Sequence, residues 1–231
     1  KKASENGRPD GTIDFSIGGR AELRNTIEIP LDKVKSLQMV YGSKHIKVYQ
    51  AKDDAILIKE YLYSNKKEAQ AEVSYGEEGR VSVKGGSVRN FIFFGFGLGG
   101  GERIEVYIPE KGLRELSIET GSGNITSEAG YYQEDGALTV KAGSGNIKWT
   151  GADTGNIFFQ TGSGNMTVEH IKGTSQLHAG SGNIRAQEIE GEVQAGTVSG
   201  GITLEEFDRS GRVKAGSGNI KMEAAQINGD L

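Results

Sequence analysis

From residue 113 to the C-terminus, short runs of alternating apolar and polar positions recur around a four-residue turn. The turn reads Gly-Ser-Gly-Asn at 121–124, 143–146, 162–165, 180–183 and 216–219, with a degenerate copy, Val198-Ser199-Gly200-Gly201, between the last two. Successive turns begin 22, 19, 18, 18 and 18 residues apart. Three residues before each turn stand Ile118, Val140, Phe159, Leu177, Ala195 and Val213. One residue before it stand Thr120, Ala142, Thr161, Ala179, Thr197 and Ala215, and directly after it Ile125, Ile147, Met166, Ile184, Ile202 and Ile220. The interleaved positions are mostly polar. Alternation with period two marks half-buried strands, and a near-constant repeat length makes each unit one coil of a stack. The small Thr/Ala row predicts a tight inner corner beside the turn.

Ile171, Ile189 and Phe207 lie nine residues past the first position of their turns, and Gly173 and Gly191 follow two residues later. Each coil therefore reads as strand, turn, strand and second turn. Glycine supplies positive φ without a Cβ clash, and Asn tolerates the left-handed region better than most residues. An outward column of Thr126, Lys148, Thr167, Arg185, Thr203 and Lys221 separates like charges that would otherwise lie about 4.8 Å apart. A second column holds Glu128, Thr150, Glu169, Gln187, Glu205 and Glu223, and the pair reads as a solvated face with crosswise pairing.

A weaker copy of the repeat precedes these. Leu37, Met39 and Tyr41 lead into Gly42-Ser43-Lys44-His45, followed by Ile46 and Val48. Between it and the first clear repeat the pattern predicts strands at Ala55–Tyr63, Ala71–Tyr75, Arg80–Lys84 and Arg103–Ile108, the last stopped by Pro109. Thr12–Ile17 and Thr26–Ile29 are further candidates, and Asn65–Ala69 is compatible with one helical turn. The domain reading is a linker at 1–11 and one β-solenoid domain at 12–231, with an elaborated β-rich part at 12–112 and regular repeats at 113–231.

Composition narrows the function classes. Glycine is abundant at 36 of 231 residues, without the three-residue period of collagen. The net charge is −4 with acids and bases mixed, so the basic stripe that nucleic-acid binding requires is missing and nucleic acid is not an expected partner. There is no cysteine, which removes disulfides, thiolate metal sites and a cysteine nucleophile. The polar start, Lys1 to Gly11, reads as a linker following a removed signal or membrane anchor, or else as an expression remnant.

The repeated Gly-Ser-Gly-Asn-Ile/Met turn, the preceding strand pair, the aromatic-glycine stretch Phe91–Leu98 and the Ile108-Pro109 stop resemble the bacterial putative-adhesin domain family, a domain-of-unknown-function family, from about Ile27 to the C-terminus. That resemblance implies an all-β fold, a single-stranded right-handed β-helix or solenoid similar to the pectin-lyase-like superfold. It also implies an envelope-exposed or secreted protein, often anchored, with no enzymatic activity assigned. The chain departs from the pattern at Val198–Gly201, where the turn has lost its Asn, and in the wide insertion after its first coil.

Catalytic and metal-binding chemistry would each require particular residues on this frame. Polysaccharide-cleaving β-helices need clustered carboxylates. Asp135, Asp153, Asp208 and Asp230 recur at no single coil position, and Thr150 and Gln187 interrupt the Glu column. Calcium-binding rolls need Asp in their turns, where this chain has neutral Ser and Asn. His45, His170 and His178 show no metal-ligand spacing, and the glycine runs lack the Gly-Lys-Ser/Thr of a phosphate loop. No catalytic, cofactor-binding or metal residue is assigned, and no cofactor is expected. Asn124, Asn146, Asn165, Asn183 and Asn219 read as a structural ladder satisfying the turns. Trp149 falls on the inward parity, Phe158 on the outward one.

The candidate interaction loop is Phe91, Ile92, Phe93, Phe94, Phe96 and Leu98, flanked by Gly85-Gly86 and Gly99-Gly100-Gly101. It reads either as a cap folded over the solenoid end, which the glycines favour, or as a contact for another subunit, a partner or a membrane face. The expected function is a non-catalytic cell-envelope or surface module of structural or adhesion type, with an unknown protein, glycan or membrane surface as partner. Self-association through the solenoid end or the aromatic loop is a further expectation. A polysaccharide-active β-helix enzyme and an extracytoplasmic sensor domain are the alternatives.

Overall fold

The computed structural model describes residues 20–86, 101–207 and 211–224, and the backbone of the short strands Phe15–Ser16 and Ile92–Phe93. Among the described residues, 17 strands join one hydrogen-bonded sheet that winds as a β-solenoid. Helical structure is limited to single 3₁₀ turns at Leu31–Lys33, Lys67–Ala69 and Glu77–Gly79.

The sheet forms two long parallel ladders that meet at the four-residue turns. The entry ladder leads into the turns. It stacks Arg80–Lys84, Ser36–Tyr41, Glu115–Thr120, 137–142, 156–161, 174–179, Val193–Thr197 and Gly211–Ala215 in that spatial order. The exit ladder leaves the turns and stacks Arg103–Ile108, His45–Gln50, Ile125–Ser127, 147–150, 166–169, 184–187, 202–205 and 220–223. A short third ladder joins 131–133, 152–154, 171–172 and 189–190 at the second corner.

Register follows the repeat offsets. Met39, Ile118, Val140, Phe159, Leu177 and Ala195 pair in turn and are buried. So do Ile46, Ile125, Ile147, Met166, Ile184 and Ile202 on the exit side. Each such side chain contributes about 1.5–3 kcal/mol on leaving water. A one-residue slip would turn a whole row outward, so burial itself fixes the register. Trp149 is fully buried, its Nε1 donating to the Gly151 carbonyl at 3.0 Å with its ring 5.9 Å from that of Phe159.

The order of coils differs from the order of the chain. The strands predicted inside the insertion, Arg80–Lys84 and Arg103–Ile108, stack on the outer side of the first coil, which is thereby sandwiched between them and Glu115–Ser127. This end of the rod is closed by antiparallel strands. Glu72–Tyr75 covers Arg80–Lys84, while Ala55–Leu62 and then Glu22–Pro30 cover Arg103–Ile108. Ile29, Ile56, Ile58 and Leu62 bury their side chains there, and the antiparallel edge limits further parallel stacking.

The candidate interaction loop belongs to the connection between Lys84 and Arg103, the corner that the other coils cross with a four-residue turn. Phe91, Phe94, Phe96 and Leu98 lie outside the described residues. The backbone of Ile92–Phe93 pairs in parallel with Phe15–Ser16. At the other end, the last described coil leaves Ile220 and Met222 exposed.

Candidate functional site

The turns form a spine held by its own backbone. Ser122, Ser144, Ser163, Ser181, Ser199 and Ser217 each donate an N–H to the first turn residue of the coil below, at 2.9–3.1 Å. The side-chain oxygens of Asn124, Asn146, Asn165 and Asn183 accept the backbone N–H of Asn146, Asn165, Asn183 and Gly201, at 2.9, 2.7, 2.9 and 2.8 Å. These oxygens are committed to the turns. With glycine at 201, no side-chain oxygen is present to meet Asn219 in the same way. Close stacking explains the turn glycines: a Cβ at Gly145, Gly164 or Gly182 would collide with the carbonyl of the equivalent glycine below.

The inner corner carries a second device. Thr120, Thr161 and Thr197 donate their hydroxyls to the carbonyls of Lys44, Gly145 and Gly182 in the turn below, at 2.9, 2.8 and 3.0 Å. The Gly164 N–H donates in turn to the Thr161 hydroxyl at 3.1 Å. At the second corner, His170, Glu188 and Glu206 adopt left-handed φ of 56°, 54° and 55°, at the place where an earlier coil has Gly151 at 84°. His170 and Glu188 approach to 2.6 Å there.

On the last coils the outward side of the exit ladder pairs its charges. Glu169, Gln187, Glu205 and Glu223 stand in register beside Thr167, Arg185, Thr203 and Lys221. Arg185 reaches Glu205 and Lys221 reaches Glu223, both at 2.7 Å. Toward the closed end, Tyr49 and Tyr107 stack at 5.2 Å, Arg103 lies 3.7 Å from the Tyr61 ring, and Lys59 sits 4.9 Å from that of Tyr107. Partial burial, then the nearby Glu128 and Glu105 carboxylates, push the Tyr49 and Tyr107 phenols above their ordinary range, with Glu105 acting on both.

The outward side of the entry ladder is different. Phe158, Gln176, Gln194 and Arg212 form one row across consecutive strands. Gln160, His178, Gly196 and Lys214 form the adjoining row. These eight positions hold no carboxylate, though the second row continues through Lys141 to Glu119. Glu192 receives the Gln194 amide at 3.2 Å. The Phe158 ring lies half-buried 5.8 Å from the His178 ring, and the Lys141 ammonium stands 5.8 Å from its centroid, within cation–π range. Lys141 also pairs with Glu119 at 3.2 Å. Gly196 leaves a gap in its row, and around it opens a groove of about 660 Å³ bordered by His178, Gln194, Val198, Arg212 and Lys214.

Glu110, Glu134 and Asp153 border a separate groove together with Lys111 and Lys172. Asp153 pairs with Lys172 at 2.8 Å, and that hydrogen bond raises the lysine's pKa. Glu60 is fully buried and accepts from the Asn25 amide at 2.7 Å and the Ala71 N–H at 2.8 Å. Burial, reinforced by that carboxylate, pushes the Tyr41 phenol far above its ordinary value. Asp208 and Asp230 lie outside the described residues. Among the described residues no group of three or more His, Asp or Glu side chains could hold a metal ion, and no helix is long and apolar enough to cross a membrane.

Sequence reading singled out Phe158 and passed over Gly196. The signal was present: Gly196 is a mid-strand glycine belonging to neither turn. The left-handed His170, Glu188 and Glu206 carried no such mark, because their residue types do not announce positive φ.

The family model described as Toastrack DUF4097 matches residues 34–231. A putative adhesin from Bacteroides fragilis is 16% identical, with 86% of this chain and 96% of that chain covered, at a TM-score of 0.52. A putative cell adhesion protein from Clostridium sporogenes is 9% identical, covering 87% and 98%, at 0.45. A putative lipid binding protein from Parabacteroides distasonis is 16% identical, covering 91% and 98%, at 0.39. The first of these carries the same overall fold. No curated protein matches the sequence.

Proposed function

Starting from the fact that the chain belongs to the Toastrack DUF4097 family, we propose that it is a non-catalytic surface module that holds a partner against the outward side of its entry ladder. The carrying observation is the groove around Gly196, where Gln160, Arg212 and Lys214 stand beside exposed, apolar Val198. A stacked β-rod is rigid along its axis, so a ligand seated across several strands meets a preorganised surface. The adhesion names borne by proteins of similar fold support a place at the cell surface. No acid among the described residues borders the groove, which supports binding without turnover.

The test is binding of the purified chain to an array of glycans and surface polymers, with product analysis of each bound ligand. Binding without cleavage is expected. Val198→Asp, at the groove rim, should abolish it, while Thr203→Asp on the exit ladder should leave it intact. A ligand cleaved by the protein, or binding indifferent to Val198→Asp, would overturn the proposal. Surface exposure is checked by labelling intact cells with an antibody to the domain, and labelling only after lysis would refute it.

A further inference from the structure

We infer that the groove is a subsite for an acidic polysaccharide lying along the rod axis, an inference that rests on the entry-ladder contact surface proposed above. The argument starts from one coil. Residues 193–201 depart from the repeat at three positions: Gly196 in the strand, Val198 in place of the first turn glycine, and Gly201 in place of the turn asparagine. The first two border the groove.

Gly196 is not required by the backbone. It has no left-handed φ, and a Cβ built there would meet only the His178 Nδ1 at 3.4 Å and the Lys214 carbonyl at 3.9 Å, ordinary contacts. The turn glycines nearby are the opposite case, since a Cβ on Gly182 or Gly200 would strike a carbonyl. A glycine inside a strand weakens it and marks a place where something approaches the backbone closely. At Gly196 the His178 ring and the Lys214 carbonyl come only to ordinary contact distance, and the position borders the groove. Val198 is 68% exposed, an apolar rim where the other coils have glycine.

The chemistry lining the gap selects the occupant. Gln160 and Gln194 border it with amides suited to sugar hydroxyls, that of Gln194 also meeting Glu192 at 3.2 Å. Exposed Val198 offers apolar surface for the C–H face of a sugar ring. Arg212 and Lys214 supply two cations on one strand at a groove with no acid in its lining, and the planar fork of Arg212 fits a carboxylate through two parallel bonds. This local excess of base lies on a chain of net charge −4. Strands about 4.8 Å apart repeat these groups along the axis on the scale of successive sugar units. A neutral polysaccharide would leave the two cations unused, and an apolar partner would bury the glutamines unpaired.

The experiment uses polygalacturonate as probe and an uncharged galactan as control, with affinity and thermal unfolding measured on the same samples. The intact protein is expected to bind polygalacturonate at least tenfold more tightly than galactan, and to lose affinity as salt is raised. Gly196→Thr continues the row with a β-branched residue. It should raise the melting temperature or leave it unchanged while weakening binding at least tenfold, a split that a merely structural glycine would not produce. Arg212→Gln with Lys214→Gln should remove the preference over galactan and the salt dependence together. Equal binding of both polymers, or full affinity in Gly196→Thr, would overturn the inference. If polygalacturonate fails while other array ligands still depend on Val198, the ligand class is wrong and the contact surface stands. If no ligand depends on Val198, the surface itself falls.

Discussion

Replacing Thr161 with valine removes the inner-corner hydrogen bonds while preserving shape. Thr161 is 1% exposed, donates to the Gly145 carbonyl at 2.8 Å and accepts the Gly164 N–H at 3.1 Å. Both glycines are buried, so water does not replace the lost partner. Stranding a buried polar group costs about 1–3 kcal/mol, and the added methyl returns about 0.8 kcal/mol of apolar burial. With both the Gly145 carbonyl and the Gly164 N–H stranded, the net expectation is a loss of about 1–5 kcal/mol. Urea unfolding followed by tryptophan fluorescence reads it, because Trp149 sits in the same region of the core. Hydrogen exchange should show lost protection at Gly164. Thr161→Ser, which keeps the hydroxyl, should fall well short of the valine loss. A valine variant within about 0.5 kcal/mol of the parent would refute the hydrogen-bond account of the small corner row, since that is the scatter of an inconsequential substitution.

Three further outcomes follow from the same geometry. Gly201→Asn extends the side-chain ladder toward Asn219, and the added Cβ meets only ordinary contacts at 3.4 Å. It should stabilise the fold by about 1 kcal/mol through one hydrogen bond and reduced unfolded-state entropy, read as a higher melting temperature. Glu206→Gly relieves a left-handed non-glycine residue and should add about 0.5–1 kcal/mol by the same assay. Alkaline pH should destabilise the protein. Burial, then nearby carboxylates, raise the Tyr41 and Tyr131 phenols in the fold, so stability is full below about pH 10, where unfolded phenols ionise. Above it, stability falls by about 1.4 kcal/mol per pH unit for each phenol until the folded group titrates too. Tyr41→Phe with Tyr131→Phe should flatten that slope in urea unfolding from pH 9 to 11.

The repeat was legible in the sequence because each coil states its own register. Period-two alternation placed Phe159, Leu177 and Ile184 inward and Phe158 outward, and the spacing of the turns required a stack. These are local constraints: side-chain parity alternates along any strand, and a tight glycine turn returns the chain to the same line. The order of the N-terminal coils was a different matter. Nothing in Arg80–Lys84 or Arg103–Ile108 says on which side of the first coil they pair, because both edges of Ser36–Tyr41 offer the same backbone groups. That choice depends on the antiparallel strands Ala55–Leu62 and Glu22–Pro30, which bury their own apolar rows only by closing that end. The groove is tertiary for the same reason. Gly196, Arg212 and Phe158 lie in three different coils, and only stacking brings the missing side chain, the cation and the ring onto one surface.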